Sequence, residues 1–219
     1  MIRSTKTTEM FLIRHAEAQK NIEKRHGGGN QNLTETGVLQ AKTIGQFLLN
    51  KYINDSVELH IVHQPEERCK NTAYIIGSIV KSKLIEEPDF RGIGLGKRAG
   101  LSEQELNEVN PELSKALEKW AAGGPFDIPS SKGGEPMEDF AERIYRGICN
   151  QINRLEPSDP IALIGTTSSL TMINHLLETD GEFNRNNYQL YKSQPGSVAC
   201  WKLSSGMPTK LNNLSLDYQ

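Results

Sequence analysis

The sequence has no strong charge of either sign: 25 lysines and arginines stand against 27 aspartates and glutamates, for a formal net charge of −2. That balance gives no global field for nucleic acid or an anionic membrane, so neither is expected as a partner and any anion must be caught locally. Cysteine is scarce. Cys69, Cys149 and Cys200 are far apart and fit neither a Cys-x-x-Cys pair nor a Cys/His spacing, which argues against a disulfide framework and against a zinc site. No apolar run approaches the roughly 20 residues of a membrane span, and the first nine residues, with Arg3, Lys6 and Glu9, contain no signal-peptide core. A cytoplasmic protein is expected. Internal repeats and low-complexity tracts are missing too. What remains, 36% hydrophobic and 24% charged residues over 219 positions, suits one ordinary domain, 1–219, and fixes no oligomeric state.

The chain is organised around Met10-Phe11-Leu12-Ile13-Arg14-His15-Ala16-Glu17. Four apolar residues in a row suit a strand buried on both faces near the centre of a parallel sheet, and the polar tail then falls at its carboxyl end, where open α/β sheets bind ligands. Residues 18–33 are polar and glycine-rich and read as a loop over that site. Thr34 is a helix N-cap candidate, followed by apolar residues at helical spacing to about Tyr52. Val57 to His63 reads as a second strand, expected beside the first. Pro65 suits the first turn of the next helix, and Leu84-Ile85 forms a third strand.

The region 89–134 differs in kind. Gly92, Gly94, Gly96 and Gly100 crowd one side, Gly123-Gly124-Pro125 and Gly133-Gly134 the other, with short helices starting near Ser102 and Leu113 between them. It reads as a lid insertion hung on flexible hinges. A long helix from Glu135 to Leu155 follows, then a fourth strand, Pro160 to Ile164, turned by Gly165-Thr166-Thr167-Ser168-Ser169 into a helix to Leu177. The chain closes with a hairpin, Val198 to Leu203 and Thr209 to Leu214, around Ser204-Ser205-Gly206. The expected fold is therefore α/β: a three-layer α/β/α sandwich on a mainly parallel sheet with one antiparallel strand near an edge.

Three strands stop at groups that suit phosphate: Arg14-His15, then His63 with Arg68 on the following helix, then the hydroxyls of Thr166 to Ser169 at a helix start. Two guanidiniums and a helix N-terminus make a dianion pocket, in which an unprotonated imidazole can attack phosphorus in line. The arginines already supply positive charge, so no metal and no cofactor is expected.

Arg14-His15-Ala16-Glu17 followed by Asn21 resembles the Arg-His-Gly-Glu signature of the histidine phosphatase superfamily, the phosphoglycerate mutase-like proteins. The resemblance continues in order through Leu33 to Gly37 with Gln40-Ala41, Pro65 to Ala73, Gly96-x-x-x-Gly100-Leu101, Gly133-Gly134-Glu135 and Gly196-Ser197-Val198. It implies that His15 is the phosphorylated nucleophile, that Arg14 and Arg68 hold phosphoryl oxygens, that Asn21 touches the phosphate and that Glu17 braces the loop. Two positions depart from the pattern: Thr166 stands where the family has its second histidine, and Gly92 where it has the proton-donating glutamate. His63, at a position commonly serine, and Asp89 are the foremost candidates to compensate, with His26, Glu86 and Glu87 behind them; His175 reads as a packed core histidine and His60 as pointing away. Thr166 and Thr167 can donate neutral hydrogen bonds to a phosphate, and one of them serves as helix N-cap. The expectation is a divergent phosphatase for a small phosphorylated metabolite; the alternative is a catalytically impaired pseudoenzyme that binds a phosphorylated or carboxylated ligand between Arg14 and Arg68.

Overall fold

The computed structural model describes residues 2, 8–28, 31–53, 57–121, 133–154, 156, 159–188, 193–204, 208–214 and 216. Its strands are β1 (Thr8–Arg14), β2 (His60–His63), β3 (Leu84–Glu86), β4 (Ile161–Gly165), β5 (Val198–Leu203) and β6 (Thr209–Leu214), in the sheet order β3-β2-β4-β1-β5-β6. β1 to β4 pair in parallel, and β5 runs antiparallel to both β1 and β6. The helices are α1 (Gln19–Ile22), α2 (Glu35–Tyr52), α3 (Glu67–Val80), α4 (Glu103–Val109), α5 (Pro111–Ala121), α6 (Met137–Arg154) and α7 (Thr167–Glu178).

The alternation of strand side chains builds two cores from one apolar run. Met10 and Leu12 of β1, with Ile161 and Leu163 of β4, pack among Phe140, Ile144 and Ile148 of α6 and Leu170 and Ile173 of α7. Phe11 and Ile13, with Ala162 and Ile164, pack among Ala41, Ile44 and Leu48 of α2 and Ala73 and Ile76 of α3. Helices on both faces explain why these strands read as continuous apolar segments: neither face meets water. Each large side chain so buried contributes roughly 1.5–3 kcal/mol.

Caps set the helix starts. The Thr34 hydroxyl accepts the Gly37 N–H at 3.0 Å. At α4 a capping box closes, with Ser102 Oγ accepting the Glu105 N–H and Glu105 Oε2 accepting the Ser102 N–H at 2.7 Å.

Several expectations are corrected. The parallel neighbour of β1 is β4, not β2: the wholly buried run Ile161–Gly165 takes a central place, while the half-exposed β3 goes to the edge beyond β2. The stretch after Ala18 contains α1, stabilised because Asn21 Oδ1 reaches back to the Ala18 N–H at 2.9 Å. Pro65 precedes α3, whose N-cap is Glu66, and β2 starts at His60. The near hinge of 89–134 is clamped. Gly94 donates to Glu135 Oε2 at 3.0 Å and its carbonyl accepts the Glu135 N–H at 2.9 Å. Arg143 holds both Glu135 oxygens (2.9 and 2.7 Å) and donates to the carbonyls of Asp89 and Arg91 (2.6 and 3.0 Å). The Gly123-Gly124-Pro125 turn and residues 205–206 of the hairpin lie outside the described residues. Among the described residues no helix is long and apolar enough to cross a membrane.

Candidate active site

Where β1 and β4 end, a cavity of about 800 Å³ opens, and Arg14, His15, Asn21, Arg68, Thr166 and Thr167 all line it. His63 does not; its ring is buried, with Nδ1 hydrogen-bonded to the Gln64 carbonyl at 2.9 Å. β4 separates β2 from β1, which removes the adjacency that made His63 a candidate to face His15.

His15 is fixed by its two ring nitrogens. Nδ1 lies 2.8 Å from the Ala16 carbonyl, which can only accept, so Nδ1 carries the proton. Nε2 then holds its lone pair and accepts from Arg68 Nε at 3.0 Å. Burial, then the Arg68 charge, holds the imidazole well below its ordinary value of 6.5, with the Ala16 carbonyl opposing and Arg14 and Lys20 assisting. The ring is neutral at physiological pH, its nucleophilic atom facing a guanidinium.

The cations around it are strained by one another. Arg14 donates Nη1 to the Ser193 carbonyl, while its buried Nε has no partner among the described residues. Burial and the neighbouring Arg68 lower it from 12.5 to about 10. Arg68 also donates Nη1 to Gln31 Oε1. A dianion held against both guanidiniums would relieve this repulsion. Asn21 spends its carboxamide oxygen on Ala18, which leaves the NH2 group, a donor only, for an anion.

The surrounding backbone locks these positions. Ala16 donates its N–H to Thr72 Oγ1 at 3.0 Å, and Thr72 donates to the Arg68 carbonyl at 2.7 Å, tying α3 to the end of β1. Glu17 accepts the Thr34 hydroxyl at 2.7 Å and so braces the loop against the start of α2. A Cβ at Gly37 would meet the Glu17 carbonyl oxygen at 2.0 Å, so only glycine fits that approach. Ala16 is not among the residues with positive φ, so the family's glycine is not required there.

Thr166 sits at the N-cap of α7 without capping it. Its N–H donates to Gln64 Oε1 at 2.7 Å, and its hydroxyl lies 3.3 Å from Gln64 Nε2 and Ser168 Oγ and 3.2 Å from Ser169 Oγ. It contributes a neutral hydroxyl and no imidazole. The acids expected to compensate lie elsewhere. Asp89 forms a two-pronged ion pair with Arg146 (2.8 Å on each oxygen), which lowers its pKa, and neither it, Glu86 nor Glu87 lines the cavity. His26 does line it, and burial followed by Arg98 lowers its pKa. His175 packs edge-on to Phe183 and Tyr188 and accepts the Asn184 N–H, as a core residue does. His60 pairs with Asp159 at 3.2 Å.

Two cavity-lining groups, Lys20 and Glu66, and the buried Gln64 that joins one of them to Thr166 escaped the sequence reading. Lys20 of α1 lines the cavity, and burial together with Arg68 and Arg14 lowers it from 10.5 to about 8. Gln64, fully buried, bridges Thr166 and Glu66 through one carboxamide. Glu66 stands at the N-cap of α3 but makes no cap bond; its Oε1 accepts the Gly92 N–H at 2.7 Å and its Oε2 accepts Gln64 Nε2 at 2.6 Å. The available signal was the acidic pair Glu66-Glu67, where the family pattern has Leu-x.

A family model for the histidine phosphatase superfamily (branch 1) matches residues 10–209. A bifunctional protein of Mycobacterium tuberculosis is 26% identical over 141 residues, 64% of this chain and 36% of that protein, so the match spans little more than a third of that relative. A probable phosphoglycerate mutase of Salmonella choleraesuis is 25% identical over 156 residues, 70% of this chain and 67% of that protein. Among solved structures, a mycobacterial glucosyl-3-phosphoglycerate phosphatase in complex with VO3 superposes with a TM-score of 0.77 at 19% identity, covering 95% of this chain and 100% of that one. A phosphoglycerate mutase from Bacillus anthracis gives 0.75 at 18% identity, covering 95% and 93%.

Proposed function

The chain belongs to the histidine phosphatase superfamily, and from that premise we propose that it hydrolyses a small phosphomonoester through a phosphohistidine on His15. The observation that carries this reading is the state of the ring: a neutral imidazole with its lone pair on Nε2, 3.0 Å from the Arg68 guanidinium at the cavity wall. In the proposed reaction Arg14 and Arg68 take the phosphoryl oxygens, Arg68 giving up its bond to His15. Nε2 attacks phosphorus, the P–O bond to the leaving group breaks, and its electron pair stays on the leaving oxygen, which takes up a proton. Water then attacks the phosphohistidine, the P–N bond breaks, its pair returns to Nε2, and the proton of the attacking water passes to a base. The substrate is a small metabolite: the cavity lies within the range of roughly 300–1,000 Å³ typical of small-molecule sites. Its lining includes Ile93, Leu95, Leu106, Leu117 and Phe140, which favours a leaving group with an apolar face.

Mixing the protein with p-nitrophenyl phosphate and quenching within the first turnover tests the reading. Acid-labile phosphate on His15, formed before steady state, is the expected result; nitrophenol release without such a species refutes it.

Thr166 favours a second reading, a binder without turnover, because a lost donor to a developing charge typically costs ~3–4 kcal/mol of transition-state stabilisation. That reading predicts a rise in melting temperature with inorganic phosphate and no covalent species.

A further inference from the structure

Resting on that phosphatase reading, we propose that Glu66 has taken over the proton transfer for which Gly92 offers no side chain: it protonates the leaving oxygen and then receives the proton of the attacking water. The argument begins with space. A Cβ added at Gly92 would lie 3.1 Å from Glu66 Oε1 and 3.4 Å from both Thr166 Oγ1 and Ser168 Oγ. The Glu66 carboxylate thus occupies the volume that a side chain at 92 would enter, arriving from the start of α3 instead of from the loop after β3.

Its hydrogen bonds agree. An N-cap residue normally spends its side chain on the helix's own N–H groups, and Glu66 does not. It is held instead by two donors from outside α3, the Gly92 N–H and Gln64 Nε2, one on each oxygen. Each oxygen keeps a second lone pair to accept a proton. The same Gln64 carboxamide grips Thr166, so the carboxylate is aimed by a fully buried residue. Glu66 lines the same cavity as His15, two residues before the arginine that touches Nε2. The proposed first step uses the protonated carboxyl of Glu66. Once the leaving group has taken that proton, the carboxylate is the base required for the second. The proton thus shuttles through one group and the balance closes without a co-reactant.

Glu66→Gln and its parent are compared with p-nitrophenyl phosphate and with an alkyl phosphate. Nitrophenolate leaves without protonation. The variant should therefore form phosphohistidine at close to the parental rate from the nitrophenyl ester, then accumulate it, with steady-state release reduced by ~10²-fold or more. With the alkyl ester even formation should fall by ~10²–10⁴-fold. A second variant, Glu66→Ala with Gly92→Glu, returns a carboxylate from the loop into the space vacated and should recover alkyl-ester turnover that Glu66→Ala alone loses. A uniform fall of both phases for both esters, or no change, overturns the proposal while leaving the phosphatase reading standing. Absence of phosphohistidine in the parent overturns both.

Discussion

The two halves of the cavity differ in charge. The half around His15 at the end of β1 is cationic: Arg14, Arg68 and Lys20 crowd the ring so closely that burial and mutual repulsion lower Arg14 to about 10 and Lys20 to about 8. The half lined by Gly92, Thr166 and Glu66 is neutral to acidic, knitted by hydroxyl hydrogen bonds and by the carboxamide of the buried Gln64. On the proposed reading the first half binds and attacks, and the second handles a proton. Changes in the first should weaken every phosphate ester alike, and changes in the second should discriminate among leaving groups.

The largest effect expected from outside either half comes from the clamp that holds the Gly92 loop. Arg143→Ala leaves the mostly buried Glu135 carboxylate without its forked partner and should destabilise the fold by ~3–5 kcal/mol, read as a lower urea midpoint. Arg68→Ala should reduce kcat/KM by ~10²–10³-fold for aryl and alkyl phosphates equally. It should also raise the titration midpoint of His15, followed by proton NMR of the ring, because the second cause of its depression is gone.

A pH series separates the buried imidazole from the carboxylates. The folded state refuses the proton that His15 accepts near pH 6.5 when unfolded, so its contribution to stability is complete above that pH and is lost on acidification. The slope reaches about 1.4 kcal/mol per pH unit for this group. Glu135 and Asp89, held below their ordinary values of 4.5 and 3.8, begin to contribute losses only at lower pH. Urea unfolding between pH 6.5 and 5 should show the slope, and His15→Asn should reduce it by the share of this ring, leaving that of His26 and His175, which burial also lowers. The smallest effect belongs to Thr166→Val. It keeps the N–H bond to Gln64 and removes one hydroxyl, for a cost of ~0.5–1.5 kcal/mol in stability. A loss of activity far beyond ten-fold on both esters would show that the hydroxyl serves the phosphoryl group and would blur the contrast between the halves.

The same contrast governs what could be read from the sequence. Arg14 and His15 announce themselves because a buried strand delivers them to its own carboxyl end, and Arg68 because it follows β2 within five residues. Thr34 and Ser102 are legible as caps because capping is local. The other half is assembled across elements. Glu66, Gln64 and Gly92 meet only because β3 returns beside β2, and no spacing in the chain announces that Gln64 will reach Thr166, 102 residues away. The placement of β4 between β1 and β2 is hidden for the same reason: strand sequence order is visible in the chain, strand neighbourhood is not. Helix α1 escaped because it has no apolar face and rests on one side-chain contact from Asn21.

The most direct test of the central claim is the identity of the phosphorylated atom. After a brief reaction with p-nitrophenyl phosphate and alkaline quench, ³¹P NMR and peptide mapping should find one acid-labile phosphate, on Nε2 of His15, and none in His15→Ala. Phosphate on Nδ1, on another residue, or on none while turnover continues would contradict the account.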